Sequence, residues 1–111
     1  MDIDLASRLG ALADPVRLAI VGLLAGGERC VCDLQERVAV APNLLSYHLR
    51  VLREGGLVRS ARRGRWVDYR LDGDGFSSLW AALFAAGVPL AGQAVPAGRA
   101  RPACEDPSGD A

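Results

Sequence analysis

The chain has 111 residues, half of them hydrophobic, which is enough for one modest core and leaves no room for a second domain. No apolar run approaches the roughly 20 residues of a membrane span, and the amino terminus, Met1-Asp2-Ile3-Asp4, is acidic rather than basic-then-apolar, so neither insertion nor export is expected and the protein is placed in the cytoplasm. The net charge of zero hides a division: residues 1–49 carry four Arg against six acids, residues 50–70 seven Arg against two, and residues 71–111 two Arg against five, so the positive charge sits in one short segment.

In chain order, Ile3, Leu5, Leu9 and Leu12 fall near helical spacing and predict a first helix over residues 3–13. Asp14-Pro15 supplies an N-cap and a proline at the first helical position, opening a second helix from Val16 to Ala25 that Gly26-Gly27 closes. A short third helix runs from Val31 to Val38. Pro42 opens a fourth through Glu54, with Leu45, Leu49 and Leu52 as its core stripe and Gly55-Gly56 as its end.

The period then changes. Leu57–Ala61 and Trp66–Leu71 read as two strands joined by the arginine-rich turn Arg62-Arg63-Gly64-Arg65, a hairpin with a charged tip. Asp72–Gly75 reads as a turn and Phe76–Ala86 as a final apolar helix carrying Leu79, Trp80, Leu83 and Phe84. From Gly87 onward eight of 25 residues are Gly or Pro, which predicts an extended or disordered tail over 87–111 behind a single domain over 1–86.

Helix, helix, helix-turn-helix, two-stranded wing and helix, in that order, make a winged helix-turn-helix: mainly α with a two-stranded β wing. This fold sets one helix in the major groove of double-stranded DNA and lets the hairpin touch flanking phosphates. The leucine stripe of the fourth helix turns Asn43, Leu44, Ser46, Tyr47 and Arg50 outward, where Arg50 can read guanine, Asn43 adenine and Leu44 a thymine methyl. His48, three residues from Leu45, reads as packed or phosphate-contacting and joins the DNA set. Arg62, Arg63 and Arg65 suit phosphates or the minor groove, and the adjacency of helix face and hairpin in one basic segment favours DNA over a merely solvated surface. The first and last helices carry more apolar surface, Trp80 and Phe84 included, than so small a domain can cover, which predicts a homodimer through the terminal helices.

Cys30-Val31-Cys32 stands at the start of the third helix, with Cys30 at the N-cap, where Ser, Thr or Asp caps better. The residues alone leave two readings, small buried hydrophobes or thiols kept for their chemistry. Residues i and i+2 of a regular helix point about 200° apart. A small ion held by both sulfurs is therefore expected to unwind the first turn. An enzyme is not expected: there is no C-x-x-C in a βαβ context, and Ser46 with His48 forms no triad.

From Leu9 to Leu71 the sequence resembles the ArsR/SmtB family of dimeric metal-responsive repressors. The resemblance rests on Ala11-Leu12-Ala13-Asp14-Pro15-Val16-Arg17, on Cys30-Val31-Cys32-Asp33-Leu34, on Ser46 through Val58 in the recognition region, and on Gly64 through Leu71 in the wing. It departs at Ala41, where such helices offer a Ser or Thr cap. The resemblance implies that Cys30 and Cys32 are ligands for arsenite or antimonite acting as inducer, with no catalytic cofactor. The third cysteine that arsenic sensors place after the pair is replaced here by Leu34-Gln35-Glu36, which leaves Cys104. Zinc- and nickel-sensing relatives carry His and carboxylates on the final helix, and Phe76–Ala86 has neither, so cadmium or lead through thiolates is the alternative ion. A repressor answering oxidants or reactive sulfur through the same thiols, with Cys104 as the resolving cysteine, is the alternative mechanism.

Overall fold

In the computed structural model, residues 3–89 and Gly92 are described, and Cys104, with the expected tail apart from residues 87–89 and Gly92, lies outside them. The chain order is α1 (Ile3–Leu12), α2 (Pro15–Leu24), β1 (Arg29–Cys30), α3 (Val31–Arg37), α4 (Pro42–Glu54), β2 (Val58–Arg63), β3 (Trp66–Leu71) and α5 (Gly73–Ala85). Among the described residues no helix is long and apolar enough to cross a membrane.

Local chemistry sets most of the boundaries. The Asp14 carboxylate accepts from the backbone N–H of Val16 at 2.8 Å and of Arg17 at 3.1 Å, satisfying two donors that the first turn of α2 leaves orphaned. Ala41 offers α4 no side-chain cap, and Pro42 opens the helix by its fixed φ. The turn between α3 and α4 is held by Gln35, whose amide donates to the Val40 carbonyl at 2.7 Å. Gly64 takes φ +64° at the tip of the β2–β3 hairpin, a conformation that favours glycine.

Two expectations need correction. The sheet has three strands rather than two, in the order β1-β3-β2, all antiparallel, with Arg29 opposite Tyr69 and Cys30 opposite Asp68. A strand of two residues shows no alternation, so it was invisible in the sequence. The last helix begins at Gly73 rather than Phe76, because Asp72 acts as its N-cap and accepts from the Gly75 N–H at 3.0 Å. Gly75 is there for proximity: a Cβ on it would collide with the Gly56 carbonyl oxygen, so the start of α5 lies directly against the turn after α4.

The core is one cluster in which every element except β1 has a buried residue. Ile20 and Leu24 of α2, Leu34 of α3, the Leu45, Leu49 and Leu52 stripe of α4, Val58 and Tyr69 of the hairpin, and Leu79 of α5 are all buried with Ala11 of α1. The expected stripe is therefore the inner face of α4, and α3 and α4 share a core through Leu34. Arg8 of α1 adds a polar tie, donating to the Gly55 carbonyl at 3.1 Å, to the Gly75 carbonyl and to Ser78 Oγ at 3.5 Å.

Candidate nucleic-acid interface and thiol site

Because Leu45, Leu49 and Leu52 face inward, helical geometry puts the side chains between them on the other side of α4. Asn43, Leu44, Ser46, Tyr47 and Arg50 are all exposed, and the Arg50 guanidinium stands 5.5 Å from the centroid of the Tyr47 ring, a cation–π distance. His48 does not belong with them. It is 6% exposed and packed on the inner side of the helix, beside Leu45 and Leu49, the packed one of the two readings that the sequence leaves for it. Its Nδ1 lies 2.9 Å from an Arg17 guanidinium nitrogen, and since a guanidinium only donates, Nδ1 is the acceptor of this hydrogen bond. The same Arg17 donates to the Ala11 carbonyl at 2.7 Å, so one side chain fastens α4 to the α1–α2 junction.

The wing divides its cations. Arg62 and Arg65 are exposed at its tip. Arg63 is engaged: it makes a two-pronged pair with Asp68, 2.7 and 3.1 Å long, and the hydrogen bond from Arg63 holds the Asp68 carboxyl below its ordinary range. Arg59 stands 3.9 Å from Asp72 at the far end of the hairpin. Trp66, about half exposed, lies opposite Arg63 across β2 and β3.

Cys30 and Cys32 are joined by a disulfide, with their Cα atoms 5.3 Å apart. The expectation that both sulfurs could meet only if α3 unwound is overturned. Cys30 is the N-cap, with extended φ −77° and ψ 159°, so it stands outside the helical spacing that separates i from i+2, and α3 is helical from Val31 onward. Cys30 Sγ also accepts from the Asp33 N–H at 3.4 Å, the weak cap that the sequence anticipates. Asp33 is flanked by Arg29 at 2.7 Å and Arg37 at 3.3 Å, and the hydrogen bond from Arg29, more than that from Arg37, keeps its carboxyl low.

Missing from the sequence reading were Arg29, Asp33 and Asp68, which with Glu28, Cys30 and Arg63 line a cleft of about 400 Å³. Antiparallel partners project their side chains to one face of a sheet, so Cys30 of β1, Asp68 of β3 and, two residues beyond Ala61, Arg63 of β2 share a face. An acid in the middle of a strongly basic segment was the available signal for Asp68. The thiol pair thus abuts the wing as well as heading the helix before α4.

Comparison with known proteins agrees with this geometry. Residues 14–60 match the family described as "Bacterial regulatory protein, arsR family". The arsenical resistance operon repressor of Escherichia coli K12 is 49% identical over 61 residues, 54% of this chain and 52% of that protein. The arsenical resistance operon repressor of Bacillus subtilis 168 is 40% identical over 70 residues, 62% of this chain and 67% of that protein. The chain spans about half the length of its first curated relatives, SmtB repressors among them. A solution structure of a homodimeric winged helix-turn-helix DNA-binding domain from Mycobacterium bovis superposes with a TM-score of 0.63 at 34% identity, covering 75% of this chain and 77% of that one.

Proposed function

Because the chain belongs to the ArsR family of bacterial regulatory proteins, we propose that it is a transcriptional repressor whose homodimer holds operator DNA and releases it when arsenite, or antimonite, is captured by Cys30 and Cys32. The observation that carries this reading is a pair of sulfurs brought together at the start of α3, next to the wing and one short helix before α4. Asn43, Leu44, Ser46, Tyr47 and Arg50 face the major groove, with Arg62 and Arg65 on phosphates. Residues 1–86 are the DNA-binding and dimerising unit, and the apolar faces of α1 and α5, where Trp80 and Phe84 are about half exposed, meet their copies. The protein acts by binding, not by catalysis.

Two soft thiolates suit As(III), which prefers sulfur to the oxygen donors of water. Capture breaks two As–O bonds of arsenous acid and forms two As–S bonds, and each thiol proton leaves with a hydroxide as water. It needs the reduced pair, so a dithiol reductant first opens the Cys30–Cys32 bond, taking the disulfide onto itself, as the reducing cytoplasm permits. Cys104, on a tail over 87–111, is the candidate third thiolate.

Sodium arsenite titrated into the full-length reduced protein, with sulfur-to-arsenic absorption and DNA anisotropy followed together, tests the reading. Absorption should rise as DNA is released, and both responses should vanish in a Cys30→Ser/Cys32→Ser variant. Release surviving in that variant would move the sensing site elsewhere. Cys104→Ser should shift release to higher arsenite, and an unchanged curve removes Cys104 from the site.

The Cys30–Cys32 bond itself favours a second reading, a repressor that answers oxidants. Two thiols and one hydroperoxide give the disulfide, water and an alcohol. Release by peroxide, with no release by arsenite, would select it.

A further inference from the structure

We propose that Asp68 is a positioning residue that carries the state of the Cys30–Cys32 pair to the DNA-facing wing, by holding or yielding Arg63. The inference rests on the reading of the two cysteines as the effector site, and it adds a route through the wing to the one through α3 and α4.

The link is short and built from unequal parts. Cys30 pairs with Asp68 across β1 and β3, and β1 is only two residues long, whereas β2 and β3 pair over six residues each. A change at the sulfurs therefore meets little resistance in β1, while the hairpin moves as one body. Asp68 lies in the central strand between the two, with Cys30 on one side and Ala61 on the other. Its carboxylate is largely covered and faces the same cleft as Cys30, and the Arg63 fork closes on it from the neighbouring strand.

Arg63 has two competing acceptors. A phosphate offers the same two-pronged geometry as a carboxylate, and the Arg63 side chain is exposed enough to swing to one. In this structure the two sulfurs are drawn together, as a shared ion would also draw them, and Arg63 is folded onto Asp68. Sulfurs together thus correspond to Arg63 withdrawn from DNA, and separate thiols to Arg63 released onto phosphate. Asp68 sets the balance because it holds the Arg63 fork and is also the strand partner of Cys30. The switch moves one cation in each protomer, so its signature on the homodimer is a change of about two in the number of phosphates that the protein neutralises.

The experiment uses full-length reduced protein and a duplex selected by that protein from a random pool, with affinity measured over a range of salt, with and without sodium arsenite. In the wild type, arsenite should flatten the dependence of log K on log salt by about two phosphates, one for each protomer of the dimer. Asp68→Asn should bind arsenite with the same sulfur-to-arsenic absorption and bind DNA no less tightly without it. Its affinity drop on adding arsenite should nevertheless be smaller by about fivefold or more, with no change in salt slope. Arg63→Ala should bind DNA more weakly from the start and likewise lose the slope change, and Arg63→Lys should recover part of both. A merely structural Asp68 would lower stability or affinity without touching the arsenite-dependent slope. An Asp68→Asn protein with the wild-type drop and slope change overturns the proposal, whereas a wild type that neither binds arsenite nor releases DNA overturns the effector reading beneath it.

Discussion

Arg17 of α2 donates to Nδ1 of His48 at 2.9 Å, so the helix that turns Asn43, Tyr47 and Arg50 outward is fixed from behind by a part-buried polar contact. Removing the acceptor leaves a guanidinium donor unpaired in a half-covered position, which typically costs about 1–3 kcal/mol. His48→Ala should lower thermal stability by about that amount and weaken specific and nonspecific DNA together. If His48→Ala changed the preferred sequence in selection from random duplexes, the side chain would be reading DNA after all.

Arg50 and the wing arginines should separate by kind of effect. Arg50→Ala should cost about 1–3 kcal/mol on the preferred duplex and little on unrelated DNA, relaxing one position of the site. Arg62→Ala and Arg65→Ala should weaken both duplexes alike and each reduce the salt slope by about two, one for each protomer of the dimer. Identical behaviour of all three would remove the division between helix and wing.

The cap role of Cys30 predicts opposite outcomes for two small substitutions. Serine accepts from the Asp33 N–H better than sulfur does, so Cys30→Ser should leave the reduced protein as stable or slightly more so. Cys30→Ala should lose about 0.5–2 kcal/mol. Urea unfolding under reducing conditions measures both, and equal midpoints would mean that the thiol caps nothing in solution.

Acid should destabilise the fold through its paired carboxylates. Asp14 is held low chiefly by the Arg17 backbone N–H, Asp33 by Arg29 and Asp68 by Arg63. The unfolded chain therefore takes up protons before the folded one, so this stabilisation is present above about pH 4 and drains away as pH falls through the lower, folded values. Asp14→Asn keeps a good cap without the titration, and its unfolding midpoint should fall less than the wild type's between about pH 5 and about pH 3. An equal fall would clear Asp14 of any part. High salt should shrink the contribution of the exposed Arg37–Asp33 pair.

Much of this was legible in the chain because helices longer than two turns repeat their pattern. Leu45, Leu49 and Leu52 fixed both the inner face of α4 and, by subtraction, the outer one. The same spacing puts His48 inside, next to Leu49, and a polar side chain in a leucine stripe is misread when its partner, Arg17, lies 31 residues away. The start of α5 was hidden because Asp72-Gly73-Asp74-Gly75 has the composition of a turn, while Gly75 answers to a neighbour, Gly56, that only the folded chain brings near. The Arg63–Asp68 pair was not legible, since a diagonal partner across the hairpin depends on strand register, which a run of arginines does not specify. The meeting of the two sulfurs turned on a single backbone choice, extended rather than helical at Cys30.

Arg8 lies in α1, which leaves the ribosome before α2 to α5, yet its partners Gly55, Gly75 and Ser78 follow it by 47, 67 and 70 residues. A nascent chain can therefore make the Gly55 contact once α4 is complete, but must carry α1 without the Gly75 and Ser78 contacts until α5 emerges. The opening and closing helices, chemically unlike and far apart in time, become one structural unit late in translation. Any surface they present jointly exists only on chains that have been made to the end of α5, so an association that uses it would wait until the domain is whole.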